Sequence, residues 1–469
     1  MRAVRFRFSA PACIGSFDGI LPTCSFSRAS NKADGSRGTR VTLFKFPQQR
    51  KGSPQDRGRG HVVAFPPSPG NSGGFWARLL QVGPGIVTGS SNLDPSAVVT
   101  ATVIGAAYSL SLLWVVALCV PFLLALFSVT ARIGIETRKG LLDLVREHYG
   151  HTTALIATGL TITVNMAVII ADMMAVSDAF SILLDQRRIF FVGAIAFSVW
   201  YILIFRDYRK ITLALVVVSL PLYIYVASAI MTGPPFGHLL RQIFAPDLRG
   251  AANLAEGAVA LFGSFLTPYI VLWQTSSRTD PEHEPHKADA YAATLVTAVL
   301  AISVMVAAAS VLHLHQPIDM TTRQAAEAFR PVVGNWGPIF FSLGIIGSGM
   351  VAIPVLIASM CYDIAQAMGW PYGLSENPWE AKRFYVLISA AVLLAALGNF
   401  VHINPVKALY WSMILAGTLT VPIFLFILIV ANDRRIVRTP NTRWQNFWVG
   451  AATGGAIAAT VIFLWNRFR

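Results

Sequence analysis

The chain has 469 residues, of which 54% are hydrophobic and only 13% charged. Soluble domains run near a quarter charged, so this composition excludes an ordinary soluble domain and fits a polytopic membrane protein. The net charge of +14 does not point to nucleic acid, because twelve Lys/Arg against three Asp fall within the first sixty residues.

Residues 1–75 are rich in Arg, Ser, Gly and Pro, as in SRASNKADGSRG and PPSPGNSGG. Such a segment lacks the apolar residues to bury a core, so the spacing predicts a disordered basic tail and a transmembrane domain over 76–469. The start, MRAVRFRFSA, has no continuous apolar run of the secretory kind; an organellar transit peptide and a misassigned start codon both fit it. Cys13 and Cys24 lie in the tail and Cys119 and Cys361 in apolar segments, with no CxxC pair or disulfide framework.

Eleven apolar segments follow, each near the ~20 residues that cross a bilayer. They lie at about 79–106, 110–131, 152–183, 189–205, 211–232, 253–276, 288–313, 335–367, 384–401, 405–430 and 446–465. With the N-terminus in the cytoplasm, the inner loops hold fifteen Lys/Arg against nine outside, which predicts that orientation. Lys382-Arg383 and Arg434-Arg435 are then inner anchors.

Segment 1 is interrupted. It carries Gly83, Gly85 and Gly89, then Asn92, Asp94 and Pro95 at its centre. Irregular backbone at membrane depth must face protein or a water-filled cavity, and a carboxylate there marks a functional site. Segment 6, LFGSFLTPYIVLWQTS, is interrupted too, at Gly263, Ser264, Thr267 and Pro268. The two breaks stand five segments apart, so segments 1–5 (79–232) and 6–10 (253–430) read as an inverted repeat, with segment 11 (446–465) added. Paired interruptions of this kind point to the binding site of a secondary transporter. Ser90, Ser91, Asn92 and Asp94 from one break and Ser264 and Thr267 from the other offer one carboxylate among neutral oxygens. That donor set suits a hard cation better than an anion or a sugar.

At these residues the chain resembles the Nramp family of divalent-metal transporters. The family's first-helix motif, Asp-Pro-Gly-Asn, has Asp94-Pro95-Ser96-Ala97 in its place, and its sixth-helix Met-Pro-His has Thr267-Pro268-Tyr269. Flanking stretches agree, among them GPGIVTGSSNLDP, SVTARIGIETRKGLLDLVREHYG and ADMMAVSDAF. The resemblance spans about residues 78–465 and implies an all-α fold, the leucine-transporter-like 5+5 inverted repeat with broken helices 1 and 6. It implies Asp94 as the anionic metal ligand, with the carbonyls of Ser264 and Ser91 beside it, and this chain's own Thr267 hydroxyl is expected to join them. The metal is then substrate, and no cofactor is expected.

The departures fall on the site. Ala97 offers no oxygen where the family has Asn, and Thr267 offers a hard hydroxyl where the family has a soft thioether. An oxygen-only site discriminates less against Mg²⁺, so the Mg²⁺/Mn²⁺ class is expected. Tyr269 and Gln274 replace two family histidines and Ala175 a family Glu, which leaves Asp94 and Asp172, with Asp178 further along, as proton carriers. Strong proton coupling is therefore not expected. A monovalent cation or small organic solute on the same fold, and a non-transporting ion-binding membrane protein, also fit these residues. An enzyme does not: the spans hold no Ser/His/Asp, HExxH or zinc-spaced Cys/His set. A multi-pass protein of a bacterial inner membrane is expected.

Lesser features stay open. His313 and His315 read as interfacial, and 280–287 (DPEHEPHK) as solvated loop or ion-attracting vestibule. Gly344, Gly347 and Gly349 predict close helix contacts. Asn399, Asn404 and Thr420 fit either a pathway or helix glue.

Overall fold

The structure is a computed structural model that describes residues 94–205, 218, 220–246, 251–276, 287–312, 320–374, 379–401 and 403–468, less the side chains of 205, 251–253, 274 and 287–293. The basic tail, the upstream half of segment 1, His313, His315 and residues 280–286 lie outside the described residues. All described secondary structure is helical. Among the described residues, seven helices are long and apolar enough to cross a membrane, and three shorter apolar ones accompany them.

In chain order the helices are α1 (Pro95–Tyr108), α2 (Leu113–Thr137), α3 (Leu141–Tyr149), α4 (His151–Leu184) and α5 (Ile189–Phe205). Then come α6 (Ile224–Thr232), α7 (Phe236–Phe244), α8 (Ala251–Phe265), α9 (Pro268–Ser276), α10 (Lys287–Val311), α11 (Thr322–Ala326) and α12 (Arg330–Val333). The last five are α13 (Gly337–Met368), α14 (Lys382–Gly398), α15 (Pro405–Leu419), α16 (Val421–Asn432) and α17 (Arg443–Phe468). Each of the eleven expected segments has a described helix within it.

α1 is apolar all round and buried from Pro95 to Ala106, as a central helix must be. Segment 6 is two helices. Pro268 has no N–H to continue α8 and disfavours helical backbone at Thr267, so α8 stops at Phe265 and α9 starts at Pro268. Segment 10 also differs from the single span expected: α15 ends at Leu419 and α16 restarts at Val421, with Pro422 in its first turn.

α4 and α13, equivalents in the expected repeat, are the longest helices and make the most extensive helix contact. Small residues let the helices around the site approach closely. A Cβ added at Gly263 in α8 would lie 1.9 Å from the Met413 carbonyl oxygen of α15, and one at Gly417 in α15 would lie 2.2 Å from that of Val259. Only glycine permits backbones to cross at that distance. Gly105 meets the Met305 carbonyl in α10 in the same way, at 2.4 Å. Two of the three α13 glycines behave as expected, Gly344 against Leu222 and Gly349 against Val176 of α4 and Pro95 of α1.

Candidate functional site

Asp94 sits immediately before α1, in extended backbone, with Pro95 at the first helical position. A proline there forfeits no helical hydrogen bond, and a carboxylate cap satisfies an orphan N–H. Asp94 Oδ1 accepts from the Ala97 N–H at 2.7 Å. Its Oδ2 accepts from the Tyr269 hydroxyl at 3.3 Å, a bond that joins the start of α1 to the start of α9. Asp94 is 3% exposed and Tyr269 4%. The expected encounter of the two broken segments therefore occurs in the fold.

The α8–α9 break supplies further oxygens. Helical bonding would require the N–H of residue 268 to reach the Ser264 carbonyl, and Pro268 has none, so that carbonyl lacks its helical donor. The Ser264 hydroxyl donates within its own helix, to Leu261 O at 3.1 Å. Thr267 is buried and its Oγ1 has no partner. An orphaned buried hydroxyl is costly, so Thr267 Oγ1 is a candidate donor at this break.

Asp172 comes to the same place from α4. Its Oδ1 accepts from the Ser96 N–H at 3.1 Å and from the Ser96 hydroxyl, while its Oδ2 has no partner. Ser96 thus ties α4 to the first turn of α1. Its role was hidden in the sequence, where a small polar residue after Pro reads as helix filler; its place one step from Asp94 was the available signal. Asp178 is half-buried further along α4. Gln274 lies on α9 with its side chain outside the described residues, as Ser91 is altogether. Among the described residues no group of three or more His, Cys, Asp or Glu converges. The local donors are two carboxylates, Asp94 and Asp172, with carbonyl and hydroxyl oxygens.

Of three residues left open, Asn404 caps α15 and donates to Met320 O, and Asn399 and Thr420 bond carbonyls one turn back in their own helices, while the buried Asn399 Oδ1 has no partner.

The family model for natural resistance-associated macrophage protein-like (Nramp) proteins matches residues 85–466, which include every residue of this site. The chain belongs to the Nramp family. Nramp proteins are membrane transporters rather than enzymes, and metal is their substrate rather than a cofactor. The metal transporter NRAT1 of Oryza sativa subsp. japonica is 26% identical over 58% of this chain, which spans 54% of that protein's length. The divalent metal cation transporter MntH of Klebsiella pneumoniae (strain 342) is 22% identical over 82% of this chain and 93% of its own. Among solved structures, a manganese transporter of Eremococcus coleocola matches with a TM-score of 0.62 at 14% identity, covering 86% of this chain and 97% of that one. MhsT, solved with L-phenylalanine, matches at 0.55 and 13% identity over 87% and 99%. At such identities these likenesses carry the fold: this Nramp chain has the leucine-transporter-like 5+5 arrangement, and it is an integral, multi-pass membrane protein.

Proposed function

We propose that this chain is a secondary transporter of divalent cations of the Mg²⁺/Mn²⁺ class, the ion lying between Asp94 and the α8–α9 break. One observation supports this most. Asp94 is buried with an amide and a phenol as partners, and among the described residues no ion pair includes it. An unpaired buried carboxylate costs several kcal/mol, so a cationic cargo is the natural counter-charge. The carbonyl of Ser264, the hydroxyl of Thr267 and the carbonyl of Ser91 complete the shell with water.

The relatives' own names favour a divalent metal, and manganese for one of them. The Mg²⁺ reading rests on the donors: no sulfur stands at Thr267, and Mg²⁺ keeps water that an oxygen-lined site tolerates. Exposure alternates as the broken elements rock about the fixed site, with Asp172, Tyr269 and Gln274 along the pathway. Proton coupling is weaker than in members with the family's His and Glu. The N-terminus lies in the cytoplasm, residues 1–75 form a basic tail outside the transport domain, and the membrane is a bacterial inner membrane.

Thermal unfolding of the purified chain tests the binding step. Mn²⁺ and Mg²⁺ should each raise the midpoint of the wild type, since a ligand that binds only the folded state stabilises it. Thr267→Met should weaken the Mg²⁺ response and keep that to Mn²⁺. No response of the wild type to either ion would remove the metal assignment and favour an organic solute.

A further inference from the structure

Besides Asp94 and Asp172, the described residues of the spans hold a third buried carboxylate. Asp363 on α13 is 1% exposed, and its Oδ2 has no partner. On α4, Asn165 is fully buried, and neither its Oδ1 nor its Nδ2 has a partner. Each would be costly if left so, because a buried polar group without a hydrogen bond loses its hydration for nothing.

The register of the two helices places these residues at a similar level of the bundle. Gly349 of α13 meets Val176 of α4, while at the other end Gly369 meets Arg146 and Gly140 meets Gln366, so α4 and α13 run antiparallel. From the Gly349–Val176 contact, Asp363 is fourteen residues along α13, close to four turns or about 21 Å. Asn165 is eleven residues back along α4, close to three turns or about 16 Å. Both fall near the faces that meet at the Gly349–Val176 contact, their levels along the axes differing by about one turn.

Neutral oxygens lie on the same faces. Thr161, one turn from Asn165, is buried with its hydroxyl proton given to Thr158 O, so its lone pairs face outward from that bond. Ser359, one turn from Asp363, donates to the Tyr269 carbonyl at the head of α9. Asn165 is also two turns from Asp172 on α4, about 10 Å from the first site.

We infer that Asp363 and Asn165 form a second cation station, about 10 Å from the first along α4 toward the α3 end of the bundle. It takes the same hard divalent cation, still partly hydrated: Asp363 supplies the charge, and Asn165 Oδ1 with hydroxyl oxygens supplies neutral donors. This rests on reading the chain as a cation carrier, and adds a site through which the ion leaves Asp94.

Mn²⁺ binding to the full purified chain, followed by loss of the free-ion electron paramagnetic resonance signal, separates the two sites. The wild type should bind two Mn²⁺, Asp94→Asn and Asp363→Asn one each, and the double variant none. Asn165→Asp should tighten one of the two sites about tenfold or more, because a second carboxylate raises affinity for a divalent ion. A misfolded protein cannot produce that gain. One Mn²⁺ in the wild type, lost in Asp94→Asn and kept in Asp363→Asn, would overturn the second station and leave the first. One Mn²⁺ lost only in Asp363→Asn would overturn the first instead. No Mn²⁺ on the wild type would overturn both.

Discussion

Ser96 shows how one residue changes the meaning of a motif. Where the family carries Gly, this chain has a side chain that reaches the Asp172 carboxylate, in addition to the Ser96 N–H that the backbone would offer in any case. Removing the hydroxyl leaves a buried carboxylate oxygen with one donor fewer. Ser96→Ala should therefore lower stability by about 1–3 kcal/mol, read as a lower unfolding midpoint, with little further loss when combined with Asp172→Asn. Additive losses in the double variant would show that the two residues do not act as a pair. At this scale the sequence was only partly legible. Asp94 and Pro268 stand out because a charge and a ring without an N–H contradict the apolar runs that hold them. Asn165 and Asp363 contradict theirs as well, but their significance depends on which residues face them across α4 and α13, which spacing along one chain does not contain.

At the scale of elements, the breaks and the close crossings share a cause. A helix interrupted by proline frees carbonyls for a ligand, and its neighbours must then approach closely enough to keep it in place. α8 meets α15 through Gly263 and Gly417, each against the other helix's backbone. Gly263→Ala should destabilise by about 1–3 kcal/mol, since the new methyl meets a carbonyl that belongs to a helix and cannot swing aside. Gly450→Ala on α17, where a Cβ meets nothing within 4 Å, is the matched control and should be neutral or slightly stabilising. Equal unfolding midpoints for the two variants would contradict the close crossing. The eleven apolar segments were legible because bilayer thickness imposes their length. The break at Thr420 was not, since the run through Pro422 stays apolar on both sides and carries no charge.

For the molecule as a whole, one end of the bundle is latched. The short helix α3, outside the spans, sits between α9 and α13 at that end. The Leu141 N–H donates to Thr275 Oγ1 at 3.4 Å, Gln366 Nε2 to Ser276 Oγ at 2.9 Å, and the Tyr372 hydroxyl to Asp143 Oδ2 at 2.7 Å. Burial pushes the Asp143 carboxyl above the ordinary carboxylate range, against the opposing pull of the Tyr372 hydroxyl and of Arg146. A raised pKa in the folded state means that the fold prefers the proton. The stabilising contribution is thus complete below the ordinary carboxylate pKa of about 4 and is lost as pH rises through the raised value. The unfolding midpoint should carry a downward slope with rising pH over that window, and Asp143→Asn should flatten it. A slope unchanged in the variant would place its origin elsewhere. The family match over residues 85–466 leaves the tail outside it.

The measurement that decides most is flux through the membrane. With the purified chain in sealed liposomes, Mn²⁺ and Mg²⁺ offered separately should each accumulate inside, and Asp94→Ala should abolish both. Accumulation of either ion at the wild-type rate by Asp94→Ala would contradict the account, because the buried, unpaired carboxylate between the broken helices would then not be what holds the cargo.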